Sequence, residues 1–229
     1  MNLSTLNPNP KKALFLAKKQ LSELVFDAVN LEGVNYTLPE VQTLLDGVTV
    51  GGHKQTDELI TQNQIKAWQF LFAVIEKQDF DLSAQFVCQM QAKVAQQEAL
   101  TWAEFRSGGV SIAGTDYLPP DHTKLADLWR VLAEKSLPND IDGIYQYAVS
   151  LFLQMARNQF FYDGNKRTGR LMMNGILLTN GLPVINLPAS KQLEFNQLML
   201  DFYPSDDEMP MQAFMRSCLN AHHLKIMAE

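Results

Sequence analysis

Cysteine is scarce in this chain of 229 residues: Cys88 and Cys218 are the only two, too few for a disulfide framework. They read as free thiols in a reducing compartment, where cysteine behaves as a small buried hydrophobe. Basic residues are also in the minority, with Lys+Arg at 19 against Asp+Glu at 25 and a formal charge of −6, which excludes a broadly basic nucleic-acid-binding surface. Long apolar runs are missing. The longest, residues 68–75, falls far short of the roughly 20 residues that span a bilayer, so no membrane segment is expected. Near the N-terminus, Lys11 and Lys12 precede a short ALFLA stretch and Lys18 and Lys19 follow it, with no small-residue cleavage site. What is present, 46% hydrophobic residues over this length, suffices for a core without staples. The chain reads as one soluble, cytoplasmic domain over residues 1–229.

Helical spacing recurs along nearly the whole sequence. Leu14, Ala17, Leu21, Leu24, Val25, Ala28 and Leu31 follow steps of three and four, which predicts one long amphipathic helix. Thr37 and Glu40, three apart with Pro39 between them, form a capping-box pattern that opens another. Further helices are expected around Leu59 to Ile75, Leu82 to Val94, and from Asp140 as N-cap through Ile141, Ile144, Tyr145, Ala148, Leu151, Phe152 and Met155. Leu171, Met172, Met173, Ile176, Leu177 and Leu178 are apolar around most of the circumference, the mark of a central buried helix, which Asn180-Gly181 ends. Met211, Phe214, Met215, Cys218, Leu219 and His222 predict a single C-terminal helix within 201–229. One stretch alone reads as strand. Val110-Ser111-Ile112 alternates, Ala113 to Asp116 can turn, and Tyr117-Leu118 can return before Pro119-Pro120, which predicts a short β-hairpin in an otherwise all-α fold. Trp68, Trp102 and Trp129 are expected in the core, and Ser205-Asp206-Asp207-Glu208 as a solvated loop leading into a helix.

The break between two of these helices carries the chemistry. It reads Phe160-Phe161-Tyr162-Asp163-Gly164-Asn165-Lys166-Arg167-Thr168-Gly169-Arg170. Gly164 tolerates backbone angles that other residues resist, and the amides after it point out of a helix N-terminus, where the dipole and unpaired N–H groups favour an anion. Arg167 and Arg170, three apart, share a helix face and can reach one polyphosphate, and Asp163 offers a hard oxygen ligand of the kind Mg²⁺ uses beside substrate phosphates. Each piece alone is commonplace; their order and spacing are not.

The segment resembles the signature of the Fic family, His-x-Phe-x-(Asp/Glu)-Gly-Asn-(Gly/Lys)-Arg-x-x-Arg. Phe161, Asp163, Gly164, Asn165, Arg167 and Arg170 match it, and Lys166 matches the variant of the Doc branch. The likeness extends outward: Asn30-Leu31-Glu32-Gly33 followed by Thr37-Leu38-Pro39-Glu40-Val41 resembles the inhibitory helix of the family's self-braked class, near residues 24–33, and residues 106–120 resemble the hairpin known as the flap. The resemblance implies a mainly helical Fic fold with an N-terminal part over 1–80, a core over 81–200 and a C-terminal helix beyond. It also implies transfer of AMP from ATP to a hydroxyl side chain of a target protein, with Mg²⁺ on Asp163. Gly164, Asn165 and Lys166 would cradle phosphates, Arg167 would hold the β/γ end and Arg170 would meet the γ-phosphate. Glu32 would be the brake, pairing with Arg170. Val110, Ser111 and Ile112 of the flap would dock the target by strand addition. The oligomeric state is left open, a homo-oligomer included.

The departures from the pattern are as informative. Gln159 stands where the family has the His that serves as general base, and an amide has no useful basicity near neutral pH. None of His53, His122, His222 or His223 lies near the motif in sequence. Ala28 replaces the Ser or Thr usual four residues before the braking glutamate. Lys166 stands where AMP-transferring members usually carry Gly, and in the Doc branch it accompanies phosphate transfer. Three readings therefore stay open: a braked and impaired AMP-transferase, a pseudoenzyme acting through protein contacts, and a Doc-like kinase.

Overall fold

The computed structural model describes residues 3–229. Its helices are α1 (Pro10–Lys19), α2 (Leu21–Asn30), α3 (Leu38–Leu45), α4 (Gln55–Lys77), α5 (Ala84–Ala95), α6 (Leu125–Ala133), α7 (Ile141–Asn158), α8 (Asn165–Thr179), α9 (Gln192–Ser205), α10 (Met209–Ser217) and α11 (Ala221–Ala228). Local chemistry sets their ends. The Thr37 and Glu40 capping box forms in full at α3, and the Asp140 side chain accepts from the Gly143 amide at the start of α7. Two expected single helices are each broken in two. Gln20 separates α1 from α2 with φ −93° and ψ 5°. At the C-terminus, Asn220 caps α11 by accepting from the amides of His222 and His223, so the stripe from Met211 to His222 lies on two helices. The apolar spacing runs on across the one-residue break at Gln20 and the three-residue break from Cys218 to Asn220, which is why the pattern concealed both.

The central helix is α8, buried on nearly every side as its sequence implies, and packed against α7, α4, α5 and α1. Gly175 makes room for the loop between α4 and α5: a Cβ there would collide with the ring of Phe80. Trp68 and Trp129 are buried, but Trp102 is 40% exposed on the loop after α5, contrary to expectation. The helices place three things around the N-terminus of α8. These are the turn after α2, the loop after α5, and the irregular segment 106–120.

The hairpin expected in that last segment does not form. Among the described residues the only β pairing is an isolated antiparallel bridge between Ile185 and Leu219. Ile112 packs against the core instead, and Tyr117 leaves the expected return strand to stack on Tyr203 beneath the Arg157 guanidinium, 4.5 Å from its ring centroid. Side-chain anchoring thus replaces a strand ladder. The turn at Gly114 rests on α9, where a Cβ would come within 3.1 Å of Leu200.

Candidate functional site

Gly164 caps α8 in the left-handed region, with φ +76°, and its carbonyl accepts from Thr168. The amides of the first turn of any α-helix lack intrahelical acceptors, so this end of α8 presents donors and a positive dipole end. Lys166, Arg167 and Arg170 then place cations at the end of the helix where the dipole disfavours them. Three carboxylates, one from within the motif and two from outside it, offset that placement.

Glu32 lies in the turn just beyond α2, and its Oε1 is 3.5 Å from Arg170 Nη2. The turn is fixed locally: Asn30 Nδ2 donates to the carbonyls of Phe26 and Tyr36, and Gly33 adopts φ +81°. Burial pushes the Glu32 carboxyl up, yet Lys166, Arg170 and Arg167 outweigh burial and hold it below the ordinary glutamate value. Glu98, on the loop after α5, holds Arg167 more tightly, at 2.7 Å from Nη1 with both side chains almost fully buried. Asn63 of α4 donates to Glu98 Oε1 at 2.7 Å and steadies it. Arg167 also donates to the Val94 carbonyl and lies 3.6 Å from Asp163 Oδ1. Burial acts to pull Arg167 down, but Glu32, Glu98 and Asp163 together raise it.

These side chains enclose a small cavity of about 90 Å³, lined by Glu32, Gln159, Tyr162, Asp163, Gly164, Asn165, Lys166 and Arg167. A larger groove of about 410 Å³ adjoins it, between Ser111, Ile112 and Ala113 on one side and Asn196, Met199, Leu200 and Tyr203 on the other. Gln159 and Lys166 line both. Of the expected flap residues, Ser111 and Ile112 reach this groove; Val110 is half-buried outside its lining.

Gln159 ends α7 in the left-handed region with φ +49°. Its Nε2 donates to the Ala156 carbonyl at 2.6 Å and its Oε1 accepts from Asn165 Nδ2 at 2.9 Å, so both ends of the amide are engaged. Asn165 in turn accepts from the Phe161 amide and donates to the Phe161 carbonyl, closing the loop over itself. Arg106 ties in the neighbouring segment. Buried without a carboxylate among its hydrogen-bond partners, it donates to the carbonyls of Gln159, Gly108, Pro120 and Asn158, two of which belong to the C-terminal end of α7, where the dipole favours a cation.

The residues present fit a metal-bound polyphosphate. Asp163 is more than half exposed, and a single carboxylate is what Mg²⁺ commonly takes from a protein when phosphates supply the remaining oxygens. Arg167 Nε is buried without an acceptor beside the cradle. Among the described residues no cluster of three or more His, Cys, Asp or Glu side chains offers an all-protein cation site. Glu98, Asn63 and Arg106 escaped the sequence reading because each acts across a long separation, with no local pattern to mark it. The pairing of Glu32 with Arg170 emerged only through the resemblance.

Residues 81–177 match the family model described as Fic/DOC family. The protein adenylyltransferase Fic of Drosophila melanogaster is 25% identical over 214 residues, covering 90% of this chain and 42% of that protein. The chain therefore spans about two fifths of the length of the curated relatives it matches. A Fic domain containing signaling protein from Bacteroides thetaiotaomicron superposes with a TM-score of 0.77 at 18% identity, covering 98% of this chain and 91% of that one. Fic-1 from C. elegans superposes at 0.76 and 18% identity, over 95% and 65% of the two chains. At such identity these two likenesses establish the shared helical fold.

Proposed function

Since residues 81–177 match the Fic/DOC family, we propose that this chain binds Mg·ATP on the segment from Phe161 to Arg170, that Glu32 holds that site in a braked state, and that its chemistry is AMP transfer to a target hydroxyl, slowed by Gln159. The observation that carries the reading is the pairing of each signature arginine with a carboxylate brought from elsewhere in the chain. Cations buried at a helix N-terminus are costly unless an anion is meant to sit there, and Glu32 is the looser of the two partners, longer in contact and more exposed.

Bound Mg²⁺ would neutralise phosphate charge and orient the leaving group. Asp163 would hold the metal, Gly164, Asn165 and Lys166 would line the phosphates, and Arg170 would turn from Glu32 to the terminal phosphate. Arg167, fixed by Glu98, would meet the phosphates without moving. The groove beside Ser111 and Ile112 would take the target segment, delivering its hydroxyl to the wall that Gln159 and Lys166 share. A His at position 159 would accept that hydroxyl's proton, whereas the Gln159 amide offers only a hydrogen bond and is already engaged at both ends. Loss of a positioned base typically costs about 10² to 10⁴ in rate.

That engaged amide also favours a second reading, a pseudoenzyme that keeps the nucleotide site and acts by protein contact. Calorimetry of Mg·ATP with the wild type and with Glu32→Gly tests the first reading: binding should tighten in the variant, and its absence in both would refute nucleotide binding. Label from the α-phosphate of ATP then separates the two readings. Transfer by Glu32→Gly alone supports the slowed enzyme, and transfer only after Gln159→His is added supports the pseudoenzyme. Label moving from the γ-phosphate alone would mark the kinase chemistry that Lys166 accompanies in the Doc branch.

A further inference from the structure

The helices α2, α4 and α8, with residues 185–187, line a second, much smaller space that has Arg170 in its wall. It measures about 20 Å³ and its lining includes Ala28, Gln64, Trp68 and Arg170. Three of these side chains are more than nine-tenths buried and carry a polar atom without a protein partner: Gln64 Oε1, Trp68 Nε1 and Arg170 Nη1. A buried polar atom left unpaired is destabilising, because it gives up its hydrogen bonds to water without replacement. Three such atoms on residues that line one cavity are therefore a sign of a ligand that pairs them together.

We propose that this cavity is a binding site for one ordered water molecule that bridges Arg170, Trp68 and Gln64. The volume suits it, since about 10 to 15 Å³ is enough to hold a single water and a buried water typically makes about three hydrogen bonds. The valences also match. Trp68 Nε1–H and Arg170 Nη1–H donate to the two lone pairs of the water, and one water O–H donates to Gln64 Oε1. A halide would meet the two donors but would face the Gln64 oxygen. The other polar side chains of the lining are engaged: Asn174 exchanges hydrogen bonds with the backbone of Ile185, and Asn186 donates to Asp27.

The water gives Arg170 two independent halves. Nη2 faces Glu32, while Nη1 is held by the water, so Nη2 can change partner without stranding the other nitrogen in a buried site. The site is a property of the folded chain and holds whether or not a nucleotide binds.

A high-resolution crystal structure of the full chain, with a parallel bromide soak, tests the assignment. The expected result is a density peak within hydrogen-bond distance of all three atoms that shows no bromide anomalous signal. A bromide signal there would overturn the assignment in favour of an anion, and a cavity without density would overturn it outright. In solution, the indole N–H resonance of Trp68, identified by its loss in Trp68→Phe, should show a cross-peak to a long-lived water. Gln64→Leu should abolish that cross-peak while the indole resonance itself persists, which shows that the variant is folded. Persistence of the cross-peak in Gln64→Leu would refute the three-point site.

Discussion

The two carboxylates that face the signature arginines contribute unequally to stability, and Glu98→Gln exposes the difference. In the wild type Glu98 contacts Arg167 Nη1 at 2.7 Å with 8% of its side chain exposed and 4% of its partner's. Replacing it with the amide keeps the size and the chance of a bond to Asn63 but removes the charge. Arg167 is left with the Val94 carbonyl at 3.3 Å and Asp163 at 3.6 Å. Breaking a buried pair from one side costs about 3 to 5 kcal/mol, and with Asp163 and Glu32 still nearby the lower end applies, about 3 kcal/mol. For a chain of this size that is a fall in Tm of about 6 to 12 °C. Glu32→Gln removes a looser contact of 3.5 Å whose carboxylate is 23% exposed and whose partner is buried, and should cost about 1 to 2 kcal/mol, less than Glu98→Gln. Urea unfolding followed by circular dichroism measures both. Equal losses, or a larger loss from Glu32→Gln, would refute the division into a fixed partner and a displaceable one.

Gln159→Gly removes two side-chain hydrogen bonds, about 1 kcal/mol each, and relieves a left-handed residue of about 1 kcal/mol of strain, so a net loss of about 1 kcal/mol is expected in the same unfolding assay; a gain would mean the amide anchors nothing. The Glu40 carboxyl is held down to about 2 by the Thr37 amide first, then by the Thr37 hydroxyl and His53. Its folded value lies below the ordinary 4.5, so the capping contribution is complete above that pH and is lost as pH falls through about 2; a carboxyl ¹³C titration with a midpoint near 4.5 would contradict the box. Gly175→Ala should destabilise despite the better helix propensity, by about 1 to 3 kcal/mol, because the new methyl must displace Phe80. An unchanged or raised Tm would show that the approach is not tight.

Much of the fold was legible because it is written in local periodicity. The buried circumference of α8, the Asp140 cap and the box at Thr37 are all short-range patterns. The breaks at Gln20 and Cys218 were not, since a corner that preserves the apolar face leaves no trace in spacing. The hairpin failed for a different reason. Alternation in Val110-Ser111-Ile112 reports which side chains are buried, not whether a partner strand exists, and Tyr117 found a better partner in Arg157 and Tyr203. At the site, the segment from Phe161 to Arg170 could be read by its order and spacing, but Glu98 could not, because only the packed chain brings the loop after α5 against α8.

Arg106 has a consequence for protein engineering. By gripping the carbonyls of Gly108 and Pro120 along with the end of α7, it closes the intervening segment at its neck. A loop closed at the neck can be varied between its remaining anchors: an exchange within 109–119 must keep Ile112, Gly114 and Tyr117, which hold the segment to the core, to α9 and to Arg157. The exposed positions of this segment and the first turn of α8 are thus separate parts of the molecule, and one can be rewritten while the other is kept.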